Sequence, residues 1–521
     1  MGIPSETWHV VPLLLVDDRA KPTWKYETMK YPVITTTLAL VLFTSLVSAS
    51  LAEEETKERL DQLKARLAKC DFEEIVFATR QPGKDGHWYA NFSYATRHGM
   101  TPQTLYGDGG KMLALNVKTG KVRTLLDDPK GGVRDPQLHY DGKKILFSYR
   151  KGGQPYYRLY EINVDGSDLR QLTDGPYDDI EPTYLPDGGI VFGSSRAHCN
   201  VPCYYTRVAV LYRCDGDGKN IRRISANVEH ENTPWPLPDG RILYQRWEYV
   251  DRSQVQFHHL WTTNPDGTGQ TVFYGNMHGG GAFLDAKPIP GSGKIVMVHS
   301  PGHGRLEHLG YVEIVDPSDG PDVKQNAKRI TKEAKWRDPY AIDENTLIVA
   351  GPEHHALSIM DGEGTTEPIF KLDESMVKAG MWLHEPRPIR PRPRERVIPP
   401  RVRKDESLGT VMLQDVYIGR NMEGVERGDI KKLLILEILS MPIKPTRDWQ
   451  QMVSYDGNTG GSFLLERILG TVPVEEDGSA YFQLPAMRPL FFVALDENNM
   501  SVKRMQSFMT VQPGESVSCV G

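Results

Sequence analysis

One pattern recurs through the first two thirds of this chain at a near-constant interval. A proline precedes a strand-length apolar run, and an Asp-Gly turn follows. The clearest copy spans Val133 to Thr173. Arg134-Asp135-Pro136 leads into the turn Asp141-Gly142 and the run Ile145-Leu146-Phe147; Arg158-Leu159-Tyr160-Glu161-Ile162 then ends at Asp165-Gly166, before Leu169-Arg170-Gln171-Leu172. Apolar runs split by Asp-Gly read as antiparallel hairpins, because the tight turn needs positive φ. Further copies start at Pro182, Pro234, Pro288 and Pro339, with apolar runs at Ile190-Val191-Phe192, Ile242-Leu243-Tyr244, Lys294-Ile295-Val296-Met297 and Leu347-Ile348-Val349. The prolines stand roughly 50 residues apart, the length of one four-stranded propeller blade. A degenerate sixth unit lies upstream, in Glu74-Ile75-Val76-Phe77 and Leu113-Ala114-Leu115-Asn116-Val117. The expectation is an all-β protein: a six-bladed β-propeller over 71–384, followed by a smaller, mostly-β domain.

The chain has 521 residues, enough for more than one domain, and 62 basic against 68 acidic side chains give a formal charge of −6. That balance offers no global attraction to nucleic acid or to an anionic membrane. Near the start, Lys30 is followed by an apolar stretch from Tyr31 to Val47 and by the small residues Ser48, Ala49, Ser50 and Ala52. A basic residue, an apolar run and a small-residue cleavage site make a signal peptide over 29–52, leaving 1–28 as a wrongly assigned start. Export to the periplasm or beyond follows, with no stable membrane insertion after cleavage. Residues 53–70 read as a short helix with Leu60, Leu63 and Leu67 on one face.

Between 385 and 404 prolines alternate with arginines, from Pro386-Arg387-Pro388 to Pro399-Pro400-Arg401. Such density forces polyproline II, read here as a stiff interdomain linker with solvated arginines. Strands resume at Thr410-Val411-Met412-Leu413 and continue through Leu490-Phe491-Phe492-Val493, so 405–521 forms the second domain.

Chemistry-bearing residues are scattered. Cys199, Cys203 and Cys214 cluster in one blade; in an oxidising compartment they supply one disulfide and a spare thiol, or Cys199 and Cys203 ligate zinc with His198 nearby. Propeller loops converge on an axial channel, so loop histidines are ligand candidates, with His87 and His303 ahead of His258, His259, His278, His299, His308, His354 and His355. Glu248 and Asp251, flanked by Arg246 and Arg252, read as a structural salt-bridge corner.

Several phrases together carry a resemblance. They are Arg246-Trp247-Glu248-Tyr249-Val250-Asp251-Arg252, His259-Leu260-Trp261, Trp336-Arg337-Asp338-Pro339-Tyr340, Asp477-Gly478-Ser479-Ala480-Tyr481-Phe482, and the terminal Gln512-Pro513-Gly514-Glu515-Ser516-Val517-Ser518-Cys519-Val520-Gly521. From Phe72 to Gly521 the chain resembles proteins related to the alpha subunit of hydrazine synthase, mainly of planctomycetes, with a TolB-like propeller. That resemblance implies a c-type haem: in the family the last phrase continues to a Cys-x-x-Cys-His motif, of which Cys519 would be the first cysteine, so the chain is expected to be cut at its haem site. It also implies zinc close to the haem, bound calcium, and a redox partner or other subunits. A haem-associated redox or electron-transfer protein is the reading it supports. The reaction does not transfer with the fold, so hydrazine synthesis is not carried over. The rival is a non-catalytic TolB-like propeller that binds a protein or carbohydrate partner.

Overall fold

The computed structural model describes residues 54, 56–84, 106–201, 206–250, 252–253, 255–351, 355–440 and 465–521. The expected signal peptide at 29–52, and with it His87, Cys203, Asp251 and His354, lies outside them. Arg59–Gly521 forms one compact unit. No helix among the described residues is long and apolar enough to cross a membrane.

Six four-stranded antiparallel groups make the propeller. Blades 2 to 6 each begin with their inner strand: Gly132–Leu138, Asp179–Tyr184, Glu231–Pro236, Gly281–Pro288 and Arg337–Asp343. The fourth and fifth are joined by a short parallel pairing, Phe257 with Gly281 and His258 with Ala282. Blade 1 takes Glu74–Arg80, Gly110–Asn116 and Val122–Asp128 from the start of the domain, and its inner strand, Trp382–Pro388, from the end. Ala78 pairs with His384 and Val76 with Arg387. This closure ties the two ends of the ring together and completes blade 1.

The closure corrects the expected boundary. Residues 385–388, assigned to the linker, are the second half of the closing strand, and the upstream unit is complete only with it. The rest of the Pro/Arg segment keeps Arg394, Arg396 and Arg401 exposed, but it is docked rather than free. It runs across the blade turns: Arg392 N–H donates to Tyr140 O at 3.0 Å, Arg396 N–H to Pro238 O at 3.2 Å and the Arg394 guanidinium to Pro186 O at 3.2 Å. Arg392 and Arg394 stack on Tyr140, 4.0 and 4.4 Å from its centroid. Gly240 shows why the turns are glycine. Its φ is 93°, and a Cβ there would sit 2.1 Å from Arg396 O.

The core sits between blades. Val76, Ala78 and Met112 of blade 1 pack on Val133, Ile145 and Phe147 of blade 2, and Phe77, Leu113 and Leu383 meet Ala350 and Leu357 of blade 6 across the closing seam. Each of these side chains larger than alanine contributes about 1.5–3 kcal/mol of burial. The expected N-terminal helix is present over 56–68; its Leu63 is buried, and Arg59 pairs with Asp361 at 2.9 Å.

The second domain is a two-sheet sandwich. A three-stranded sheet centred on Leu408–Leu413 has Ser516–Cys519 as its parallel edge, and a four-stranded sheet is built around Lys432–Leu439 and Leu490–Leu495. Val411, Leu433, Phe482 and Leu490 fill the space between the sheets. The outer face of the larger sheet, with Leu436, Ile438, Phe491 and Val493, packs on Val228 and Val250 of the propeller.

The seam carries a testable consequence. Leu383→Ala opens a cavity where the ring closes, and should lower stability by about 2–5 kcal/mol in urea unfolding. An unchanged midpoint would mean that the closing strand is not part of the ring's core.

Candidate functional site

All six inner strands are irregular at the same place. Their pairing shifts register between Arg134 and Gln137, Ile180 and Thr183, Asn232 and Trp235, Leu284 and Lys287, and Arg337 and Tyr340, and on the closing strand between His384 and Arg387. The residue at each bulge has positive φ, and none is glycine: Asp135 (60°), Glu181 (52°), Thr233 (49°), Asp285 (57°), Asp338 (53°) and Glu385 (48°). A non-glycine residue held there costs on the order of 1–3 kcal/mol, so six in register are six strained positions supported by the surrounding structure. Five of the six are acidic, and all six line one pocket at the propeller axis.

The chain repeats this device but disguises it. Proline follows the bulge residue at 136, 182, 234, 339 and 386, but alanine does so at 286. Pro288, taken above as the blade marker, is therefore two residues out of register. A proline at a bulge removes no ladder hydrogen bond, which is why it is tolerated on an inner strand.

The pocket encloses about 40 Å³, room for about three water molecules. Six carboxyl groups line it, from Asp135, Glu181, Asp285, Glu307, Asp338 and Glu385, against four basic groups from Arg80, Arg134, Lys287 and Arg387. Arg80 is the hub. Its guanidinium meets Glu385 in a two-pronged pair at 2.9 and 2.7 Å and reaches Glu307 Oε2 at 3.0 Å. Glu307 Oε1 accepts from Gly83 N–H at 2.9 Å. Arg134 Nε donates to Asp135 Oδ2 at 2.9 Å and lies 3.5 Å from Glu181. Lys287 pairs with Asp285.

Buried charges without full compensation shift their titration. Burial and the Asp135 charge push Glu181 up to about 8, outweighing Arg134. Burial likewise pushes Glu385 up to about 7 despite Arg80. Glu307 moves the other way: burial raises it, but the charges of Arg80, His384 and Arg134 hold it well below the usual range. His384 and His308 are pushed down by burial, to about 3 and about 4, and so are neutral imidazoles at ordinary pH.

Of the expected site residues, His308 lines the pocket, and the others that the structure describes fall elsewhere. His303 is half-buried in the loop before Tyr311–Val315 and packs on Trp247 and His258, 5.2 and 5.5 Å between ring centroids. It does not line the axial pocket; Glu307 and His308 of the same loop do, both at positive φ. His258 and His259 lie within the strand Phe257–Thr263 rather than in a loop. Cys199 is buried, with its thiol pushed up to about 12, chiefly by burial. Cys199 and Cys214 both carry free thiols. Cys519 is half-buried on the edge of the sandwich, where its register partner is Leu413, and burial raises its pKa.

The salt-bridge corner around Glu248 is present. Glu248 meets Arg246 at 2.8 Å and Arg252 at 2.5 Å and accepts from Ser507 Oγ of the second domain at 2.8 Å. Arg246, fully buried, lies between the rings of Trp261 and Phe508, 3.9 and 3.6 Å from their centroids. Farther along, Gln512 Nε2 donates to Ile224 O at 3.0 Å, and Glu515 Oε1 accepts from Gly269 N–H at 2.7 Å. The terminal phrase thus stitches the sandwich to the propeller.

The raised carboxyls set a pH dependence. Glu181 and Glu385 stay partly protonated in the folded state even above about pH 7.5, where the unfolded chain has released those protons and its histidines are almost all neutral as well. The native state binds more protons, so stability falls as pH rises through about 7–8. The melting temperature should drop between about pH 7.5 and 9, and Glu181→Gln should shrink that drop. A flat wild-type profile would contradict these shifts.

Comparison with known proteins fits this architecture. Residues 428–521 match the family described as the hydrazine synthase alpha subunit middle domain. Hydrazine synthase subunit alpha of Kuenenia stuttgartiensis is 24% identical over 532 aligned positions, covering 80% of this chain and 62% of the relative. The chain therefore spans less than two thirds of that relative's length. The solved structure of Kuenenia stuttgartiensis hydrazine synthase superposes with a TM-score of 0.73 at 20% identity, over 87% of this chain and 69% of the other. TolB from Acinetobacter baumannii aligns over 61% of this chain and 67% of its own, with a TM-score of 0.42 at 14% identity. Over residues 428–521 the chain is similar to the hydrazine synthase alpha subunit middle domain, and from propeller to sandwich it shares the fold of the Kuenenia stuttgartiensis structure.

Proposed function

We propose that this chain is the propeller and middle-domain part of an exported c-type haem protein with a redox or electron-transfer role. The observation that carries the reading is the match over residues 428–521, which ends on the phrase containing Cys519. Cys519 terminates the strand Ser516–Cys519, continuous with the segment from Ser507 to Glu515 that binds the propeller. The donor set is incomplete in these 521 residues: Cys519 supplies one thiol, and a thioether motif needs a second cysteine and a histidine. This chain's own contribution is to present that thiol on a rigid strand edge. A haem, when bound, would supply one-electron chemistry.

Association with further subunits belongs to the same proposal. The outer strand Leu465–Pro473 leaves Leu465, Ile468 and Leu469 exposed, Ile468 at 69%, and the Kuenenia relative is itself named as a subunit.

The test is expression of the chain, extended through the residues encoded after Gly521, with a c-type haem maturation system. Haem that stays on the polypeptide in denaturing electrophoresis, and disappears in Cys519→Ala, supports the proposal. An extended chain that remains colourless overturns it in favour of a propeller that only binds a partner.

A further inference from the structure

The bulges around the axis are linked by a chain of side-chain to backbone bonds. Asp135 Oδ2 accepts from Glu181 N–H at 2.9 Å, Glu181 Oε2 from Thr233 N–H at 2.6 Å, and Thr233 Oγ1 from Asp285 N–H at 3.3 Å. Each bulge residue thus holds the next blade. Past Asp285 the pattern stops. Among the described residues, neither Asp285 Oδ2 nor Asp338 Oδ2 accepts a hydrogen bond, although the two residues are only 9% and 5% exposed. A buried carboxylate oxygen without a donor is costly and calls for a missing partner.

The groups beside this break form a ligand set. Asp338, His384 and Glu385, all buried, can each present one oxygen or nitrogen within 4.8 Å of the others. His384 Nδ1 lies 3.5 Å from Asp338 Oδ2 and 3.9 Å from Glu307 Oε2, too far for good hydrogen bonds, and among the described residues its Nε2 has no partner either. Arg337 Nε lies 3.7 Å from Asp338 Oδ2, too far to hydrogen-bond it, so a cation there would complete the coordination. The volume suits an ion with a few waters and is far below the several hundred Å³ of an organic ligand site. Oxygen-only ions such as calcium and magnesium make poor use of an imidazole, whereas a donor set of one nitrogen and two carboxylates suits a first-row divalent ion.

We propose that Asp338, His384 and Glu385 bind one divalent transition-metal ion, zinc for preference, at the propeller axis. The site is separate from the Cys199 region and does not depend on the haem reading. It draws its ligands from two adjacent inner strands, so the ion would also brace the ring where its bonded chain is broken.

The experiment uses the 521-residue chain, stripped with chelator and titrated with zinc chloride by calorimetry, with metal content checked by elemental analysis. The expected result is one zinc per chain, a higher melting temperature with zinc, and at least tenfold weaker binding in Asp338→Asn and in His384→Gln. Cys199→Ser and Cys519→Ala should bind as the wild type does. Cobalt substitution keeps the test decisive if the axial variants fail to fold: the wild-type spectrum should show ligation by nitrogen and oxygen, without a thiolate charge-transfer band. No stoichiometric zinc, zinc retained by both axial variants, or a thiolate band would each overturn the proposal.

Discussion

The structure depends on one repeated compromise between backbone strain and buried charge. Six inner strands each break their ladder at one residue, turn it to positive φ, and aim a polar side chain at the axis. An ideal strand would direct alternate side chains to its two faces and leave nothing at the axis but backbone edges. The bulge re-aims one side chain per blade, and neighbouring blades then hold it there. Arg80 shows what offsets the cost. It is buried, yet its guanidinium satisfies two carboxylates from different parts of the chain, Glu307 and Glu385. Removing one partner of such a set would leave an uncompensated charge, which costs far more than the net worth of the pair.

The same logic explains how the second domain is held. A sandwich that touched the propeller only through Phe491, Val493 and Phe508 could slide, because apolar contact has no direction. The buried Arg246, held by Glu248 and covered by Phe508, fixes the register of that contact. The Pro/Arg segment adds a second tie, since its backbone N–H groups and the Arg394 guanidinium bind blade-turn carbonyls and Arg392 and Arg394 stack on Tyr140. Proline suits this role: it leaves few backbone donors to satisfy and loses little entropy on being laid down.

Much of the fold was legible in the sequence. Blade number and order follow from the apolar runs and Asp-Gly turns, because those are local signals, and the two-domain order follows from the proline-rich break. The closing strand was hidden because its partner, Glu74–Arg80, lies some three hundred residues away and its own residues, Glu385-Pro386-Arg387-Pro388, look like linker. The axial ring was half visible. The prolines marked it, but the residue before each proline carries the chemistry, and it varies among aspartate, glutamate and threonine. At 285 the proline itself is absent. Glu307 had no local signal and His308 was only one of many loop histidines; both reach the axis through a loop whose backbone is strained at both positions. His303, chosen from the same loop, points to a different aromatic cluster.

The central claim is that the six bulges converge their side chains on one axial site with a gap beside Asp338, His384 and Glu385. An experimental density map of the zinc-soaked chain, with an anomalous difference map at the zinc edge, tests it most directly. The account predicts a single strong peak about 2.0–2.2 Å from one atom of each of those three residues, with all six bulge residues at positive φ. An axis with no peak, lined by regular strands whose carboxylates point elsewhere, would contradict it.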